Sequence, residues 1–169
     1  QVTIALGRPG GLPISFENLD EVHTEKFHLL IIDSTLGDYH HEHPVPTDVP
    51  GEYEVTFTPR YGGTYRFFAE VVPTVTGRPA QGVATLDVEG AEGDLPGKLP
   101  LETTIGEYEF YLRPPEDGMR AKEPGVLAFG LRHVGGETVP LEPVMGAWAH
   151  VVAFDSGRSG FAHMHPVQE

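Results

Sequence analysis

Residues 19–45 lie without a gap over residues 141–167, a shift of 122 positions, and nine of the 27 aligned residues are identical. Ordinary residue frequencies give about one or two. The identities are Leu19/Leu141, Val22/Val144, His28/His150, Asp33/Asp155, Ser34/Ser156, His41/His163, His43/His165, Pro44/Pro166 and Val45/Val167. Leu29–Ile32 also matches Val151–Phe154 in apolar character, and Tyr39 matches Phe161. An internal repeat reveals the unit of architecture. Here that unit reads H-x4-D-S-x4-[YF]-x-H-x-H-P, three histidines used twice.

The spacing of the unit predicts its geometry. Leu29–Ile32, Asp33–Asp38 and Tyr39–Pro44 read as strand, tight connection and strand. A turn centred between Thr35 and Leu36 pairs Ile32 with Tyr39, Leu30 with His41 and His28 with His43. Paired residues of a hairpin share a face, as do residues two apart, so all three histidines project together. In the second copy Val152 falls opposite His163 and His150 opposite His165, around Ser156-Gly157-Arg158-Ser159. Gly157 is available there for an unusual dihedral.

Three imidazoles on one face form a ligand set that reaches a metal at about 2.0–2.1 Å. The expected ligands are His28, His41 and His43, then His150, His163 and His165. Nitrogen-only sites suit copper and zinc, with Cu(II) first in intrinsic affinity, so copper is expected and zinc is the alternative. The bland reading is that the histidines hydrogen-bond within a sandwich edge. Accessory candidates are His23 and Met145, which occupy the same repeat position, and Asp33 and Asp155, which either start the turn or orient a histidine. A soft Met at one copy and His at the other allows two sites of different metal preference, although such a Met more often fills a core. His40 and His133 have no counterpart in the other repeat and read as surface residues.

Nearly every other periodic segment reads as a strand: Val2–Leu6, Tyr53–Thr58, Thr64–Val72, Gly82–Val88, Tyr108–Leu112 and Val126–Arg132, with Phe27–Ile32 and Ala149–Phe154 opening the hairpins. Turn signals rich in Gly and Pro separate them, and no helical stripe with caps appears. The expected fold is all-β, an internally duplicated antiparallel Greek-key sandwich of immunoglobulin type. The Gly/Pro-rich stretch 90–100 is the expected linker between a first unit, 1–89, and a shorter second unit, 101–169. The second unit stops soon after its histidines, so its open edge needs cover. A composite sandwich, strand Gln1–Gly7 or a neighbouring chain supplies it, and completion within the chain is favoured.

Composition narrows the chemistry. No cysteine is present among the 169 residues, which excludes disulfides, thiolate metal sites and thiol catalysis. The net charge of −14 argues against nucleic acid and anionic membrane surfaces as partners and favours cations. No apolar stretch reaches membrane-spanning length, and the chain begins at Gln1. A periplasmic, cell-surface or secreted protein is the expectation.

The run FHLLIIDSTLGDYHHEHP, followed by GEYEVTFTPRYGGTYRFFAEVVP, resembles bacterial exported proteins with YtkA-like, immunoglobulin-like domains. The segment VPLEPVMGAWAHVVAFDSGRSGFAHMHP resembles their second domain, including Met145-Gly146-Ala147 before the histidine. The resemblance covers most of residues 19–89 and 126–167 and departs from the family after the second His-Pro. It implies an extracytoplasmic β-sandwich associated with copper or other heavy-metal handling. The expected function is non-enzymatic metal sequestration or delivery, with a metal-delivery protein as partner. The alternative is a cell-surface assembly subunit that self-associates through an open sheet edge, its histidines structural or bridging chains through metal.

Catalytic readings fail on the residues. A copper–zinc superoxide dismutase needs its disulfide and zinc loop, a cupin needs a Glu soon after H-x-H, and a histidine brace needs an N-terminal His. A serine hydrolase needs G-x-S-x-G, which is absent.

Overall fold

The computed structural model describes residues 1–95, 97 and 99–166. Positions 96 and 98 of the expected linker and 167–169 of the expected second unit lie outside the described residues. The chain is all-β, with a single 3-10 turn at Phe16–Asn18 among the described residues. No helix is long and apolar enough to cross a membrane.

The strands are β1 (Val2–Ala5), β2 (Leu19–Asp20), β3 (Phe27–Ile32), β4 (Tyr39–Glu42), β5 (Val45–Pro46), β6 (Glu52–Val55), β7 (Gly63–Pro73), β8 (Ala80–Val88), β9 (Glu102–Ile105), β10 (Tyr108–Arg113), β11 (Ala128–His133), β12 (Val151–Phe154) and β13 (Phe161–Met164). All ladders are antiparallel. They fall into two compact units, one of Gln1–Pro96 with Val144–Glu169 and one of Gly97–Pro143.

This grouping departs from the sequence boundaries. The second histidine hairpin belongs with the first unit, because Val152, Phe154 and Phe161 pack onto Leu30, Ile32 and Phe68. The expected linker also begins inside that unit. Gly62 donates to the Ala91 carbonyl at 2.9 Å, and a Cβ on Gly62 would meet the Gly90 oxygen at 2.3 Å, so only glycine fits there.

The first unit has three layers. A central sheet runs β2-β7-β3-β4, with β8 also paired to β7. On one face, a second sheet in the order β1-β6-β5 encloses a core around Leu29, Ile31, Tyr53, Tyr65 and Phe67. The β12–β13 hairpin covers the other face. Strand β3 is therefore buried at all six positions, which explains a continuous FHLLII run where a half-exposed strand would alternate. The smaller unit carries one three-stranded sheet, β11-β10-β9. Short strands β2, β5 and β9 were not evident from sequence periodicity.

Candidate metal centre

The hairpin register follows from the chain. Ile32 pairs with Tyr39 and Leu30 with His41, while Phe154 pairs with Phe161 and Val152 with His163. Both connections are closed by their aspartate. Buried Asp33 accepts from the Thr35 hydroxyl at 2.5 Å, the Gly37 amide at 2.9 Å and the Asp38 amide at 3.0 Å. Asp155 accepts from the Ser159 hydroxyl at 2.7 Å and the Gly160 amide at 3.1 Å, and the Ser159 bond leads in holding its carboxyl below the usual range. All carboxylate hydrogen bonds recorded for these two residues stay within their own turns, so they shape the hairpins. The left-handed residue is Leu36 (φ 61°) in one turn and Arg158 (φ 51°) in the other; Gly157 does not take that role. Asp33→Ala is expected to lower stability by about 3 kcal/mol in urea unfolding, because it strands buried donors. Asp155→Ala, in an exposed turn, is expected to do less.

Upstream of each strand sits a matched tight turn. Val22 and Glu25 exchange backbone hydrogen bonds, as do Val144 and Ala147. Both central residues of each turn have positive φ: His23 52° and Thr24 70°, Met145 47° and Gly146 78°. These are type I′ turns. Their function in the site is to aim a carbonyl. The His28 Nε2 lies 2.9 Å from the Val22 oxygen, and the His150 Nε2 lies 2.8 Å from the Val144 oxygen. A carbonyl only accepts, so Nε2 carries the proton and Nδ1 presents its lone pair inward.

That lone pair meets the other imidazoles. The His28 Nδ1 is 3.3 Å from the His41 Nε2, and the His150 Nδ1 is 3.3 Å from the His163 Nε2 and 3.1 Å from the His165 Nε2. Two nitrogens held at about 2.0–2.1 Å by one tetrahedral ion stand roughly 3.3–3.4 Å apart. In each triad one nitrogen per histidine lies within 4.8 Å of the other two. The buried His43 Nε2 has no hydrogen-bond partner among the described residues, an unmet demand that a cation satisfies. The residues present fit a metal ion, and both triads can hold one.

The electrostatics agree. Burial first, then neighbouring histidines led by His43, pushes the His41 pKa down to about 4. Burial also leads in lowering His43, His163 and His165. Neutral imidazole is the form that ligates. Acidic groups stand behind the rings: Glu25 and Glu42 act on His43, and the Glu70 Oε2 lies 3.9 Å from the His163 Nδ1.

The triads adjoin. The His41 and His163 rings are 5.8 Å apart, and His23 reaches the second triad, 4.3 Å from the His165 ring. A recess of about 180 Å³ is lined by His23, His28, Glu70, His163 and His165. A larger groove of about 380 Å³, between β1 and β8, has no titratable lining residue and offers no comparable chemistry. His40 is not the surface residue its lack of a repeat partner suggested. It packs on Phe57 at 5.2 Å, and its Nε2 is 3.1 Å from the Asp38 Oδ1. His133, half-buried, stacks on Tyr108 at 4.9 Å in the smaller unit. The aiming carbonyls of Val22 and Val144 carry no side-chain signature, and only the repeat of Val at both positions marked them.

Residues 103–169 match the model of a domain of unknown function (DUF8832), a span that contains the second triad and not the first. No curated protein and no solved structure matches the chain.

Proposed function

We propose that this is an extracytoplasmic, non-enzymatic metal-binding protein that holds copper at two histidine hairpin sites for sequestration or delivery, with zinc the alternative ion. One observation carries the reading. The same set of converging nitrogens is built twice, each with a carbonyl-locked first histidine. Nitrogen donors without thiolate or a carboxylate ligand favour Cu(II), and the absence of cysteine leaves no competing thiolate site. The resemblance to YtkA-like exported proteins supports the extracytoplasmic placement and the link to metal handling.

Native mass spectrometry of the metal-stripped chain titrated with Cu(II) and Zn(II) tests the proposal. Two tight equivalents are expected for the unsubstituted chain, one for His41→Ala or His163→Ala, and none for the double variant. Uptake that survives the double substitution would sink the assignment.

A second reading, an assembly subunit, has one observation in its favour. Strand β8 is exposed along nearly all of its nine residues, including Val83 and Leu86, and has no second strand partner among the described residues. Size-exclusion chromatography with and without chelator separates the two. A chelator-sensitive oligomer favours assembly, and a chelator-insensitive monomer disposes of it.

A further inference from the structure

We infer that His23, from the first repeat, is a fourth imidazole ligand of the second site, so that metal bound by His150, His163 and His165 ties the two repeats together. The inference rests on the metal-binding reading above and adds inequality between the sites.

The geometry points across the repeats. The His23 ring lies 4.3 Å from His165, 5.7 Å from His150 and 6.0 Å from His163, against 6.3 Å from His28 of its own repeat. Within the triads, ring centroids are separated by 4.7–5.5 Å. Rings sharing one ion at about 2.0–2.1 Å have centroids roughly 4.5–5.3 Å apart. The His23 distances bracket that range. His23 stands outside the group of nitrogens that lie within 4.8 Å of one another, so ligation requires its half-buried ring to move closer.

The backbone supplies a second argument. His23 holds a left-handed conformation with Thr24 behind it, a costly arrangement for two residues with side chains, and such strain concentrates at functional positions. The turn is anchored by the Val22 carbonyl that also fixes His28. His23 is therefore positioned by the first triad and directed at the second.

Its repeat counterpart is Met145. That position thus provides no fourth imidazole for the first triad. Four imidazoles against three makes the second site the tighter one for Cu(II) and leaves the first site more open to exchange. A chain that stores one ion firmly and passes on another needs that asymmetry.

The test isolates each site by removing the other's ligand. In a His41→Ala background only the second triad is complete, and in His163→Ala only the first. His23→Asn is then added to each, because Asn tolerates positive φ; His23→Gly, freer still, serves as the check on folding. Competitive Cu(II) titration and electron paramagnetic resonance are read on all variants. With only the second triad, either His23 substitution is expected to weaken binding about tenfold or more and to change the nitrogen hyperfine pattern from four donors to three. With only the first triad, affinity and pattern are expected to stay. Unchanged second-site binding, or equal loss at both sites, would overturn the role of His23 while leaving the triads intact. No Cu(II) uptake by the unsubstituted chain would overturn the metal-binding reading itself, and this inference with it.

Discussion

Phe68→Ala is expected to lower stability by about 3–5 kcal/mol and to release the second histidine hairpin from the central sheet. Phe68 is 2% exposed and meets Phe154 at 5.6 Å and Phe161 at 5.4 Å. With Leu30 and Ile32 it forms the whole buried part of the cluster under β12–β13. Polar contacts at the hairpin's turn add to this: Arg66 donates to the Arg158 carbonyl, and Arg158 donates to the Thr64 carbonyl at 3.1 Å. These exposed or half-buried bonds are each worth about 1 kcal/mol and do not replace an aromatic core. Phe67→Ala is the control. Adjacent strand residues face opposite ways, and Phe67 lies in the other core, against Phe57 at 5.6 Å. Both variants should unfold at lower urea, but only Phe68→Ala should speed hydrogen exchange in β12–β13 while β1 and β6 stay protected. It should also weaken Cu(II) at the second site, whose fourth ring reaches across that same interface. Equal exchange in β12–β13 for the two variants would mean that something other than the Leu30–Ile32–Phe68 face holds the hairpin.

The contrast between neighbouring phenylalanines shows what was legible in the chain. The hairpin register was, because turn length and the period of two leave little freedom once Asp33 and Asp155 mark the corners. The convergence of three histidines followed from that register alone. The docking of one repeat on the other was only half written. FHLLII has no polar alternation, the mark of a strand covered on both faces, yet nothing in it says that the cover comes from residues 151–161. A linker rich in Gly and Pro suggested a cut that differs from the contact grouping, because composition registers the Gly/Pro-rich stretch and not the contact made beyond it. The type I′ turns were hidden for a related reason. Val22-His23-Thr24-Glu25 lacks the Gly or Asn that announces positive φ, and only Gly146 in the second copy hinted at it. The aiming carbonyls belong to the backbone, so their role appears only with coordinates.

Metal and protons should act on stability in opposite directions, and the pH at which they exchange is set by burial of the rings. In the metal-free chain, His41 titrates near 4 when folded and near 6.5 when unfolded. Between those values the unfolded chain binds more protons, so this contribution to stability is complete above pH 6.5 and falls progressively down to pH 4. For a half-exposed ring the loss is about 1–2 kcal/mol after screening by solvent. His43, His163 and His165 shift in the same direction and add to it. Melting of the metal-free chain is therefore expected to be flat above pH 6.5 and to drop steadily towards pH 4. Saturating Cu(II) reverses the trend: an ion at about 1,000 times its dissociation constant adds about 4 kcal/mol per site. Free imidazole would yield its metal to protons near pH 6.5. Here burial keeps His41, His43, His163 and His165 neutral to lower pH, so the Cu(II)-dependent rise in melting temperature should persist at pH 5.5 and vanish by about pH 3. A rise lost already at pH 6.5 would show that protons reach these rings as easily as in water and that the triads do not form as described. A rise that survived at pH 3 would place the metal on other groups.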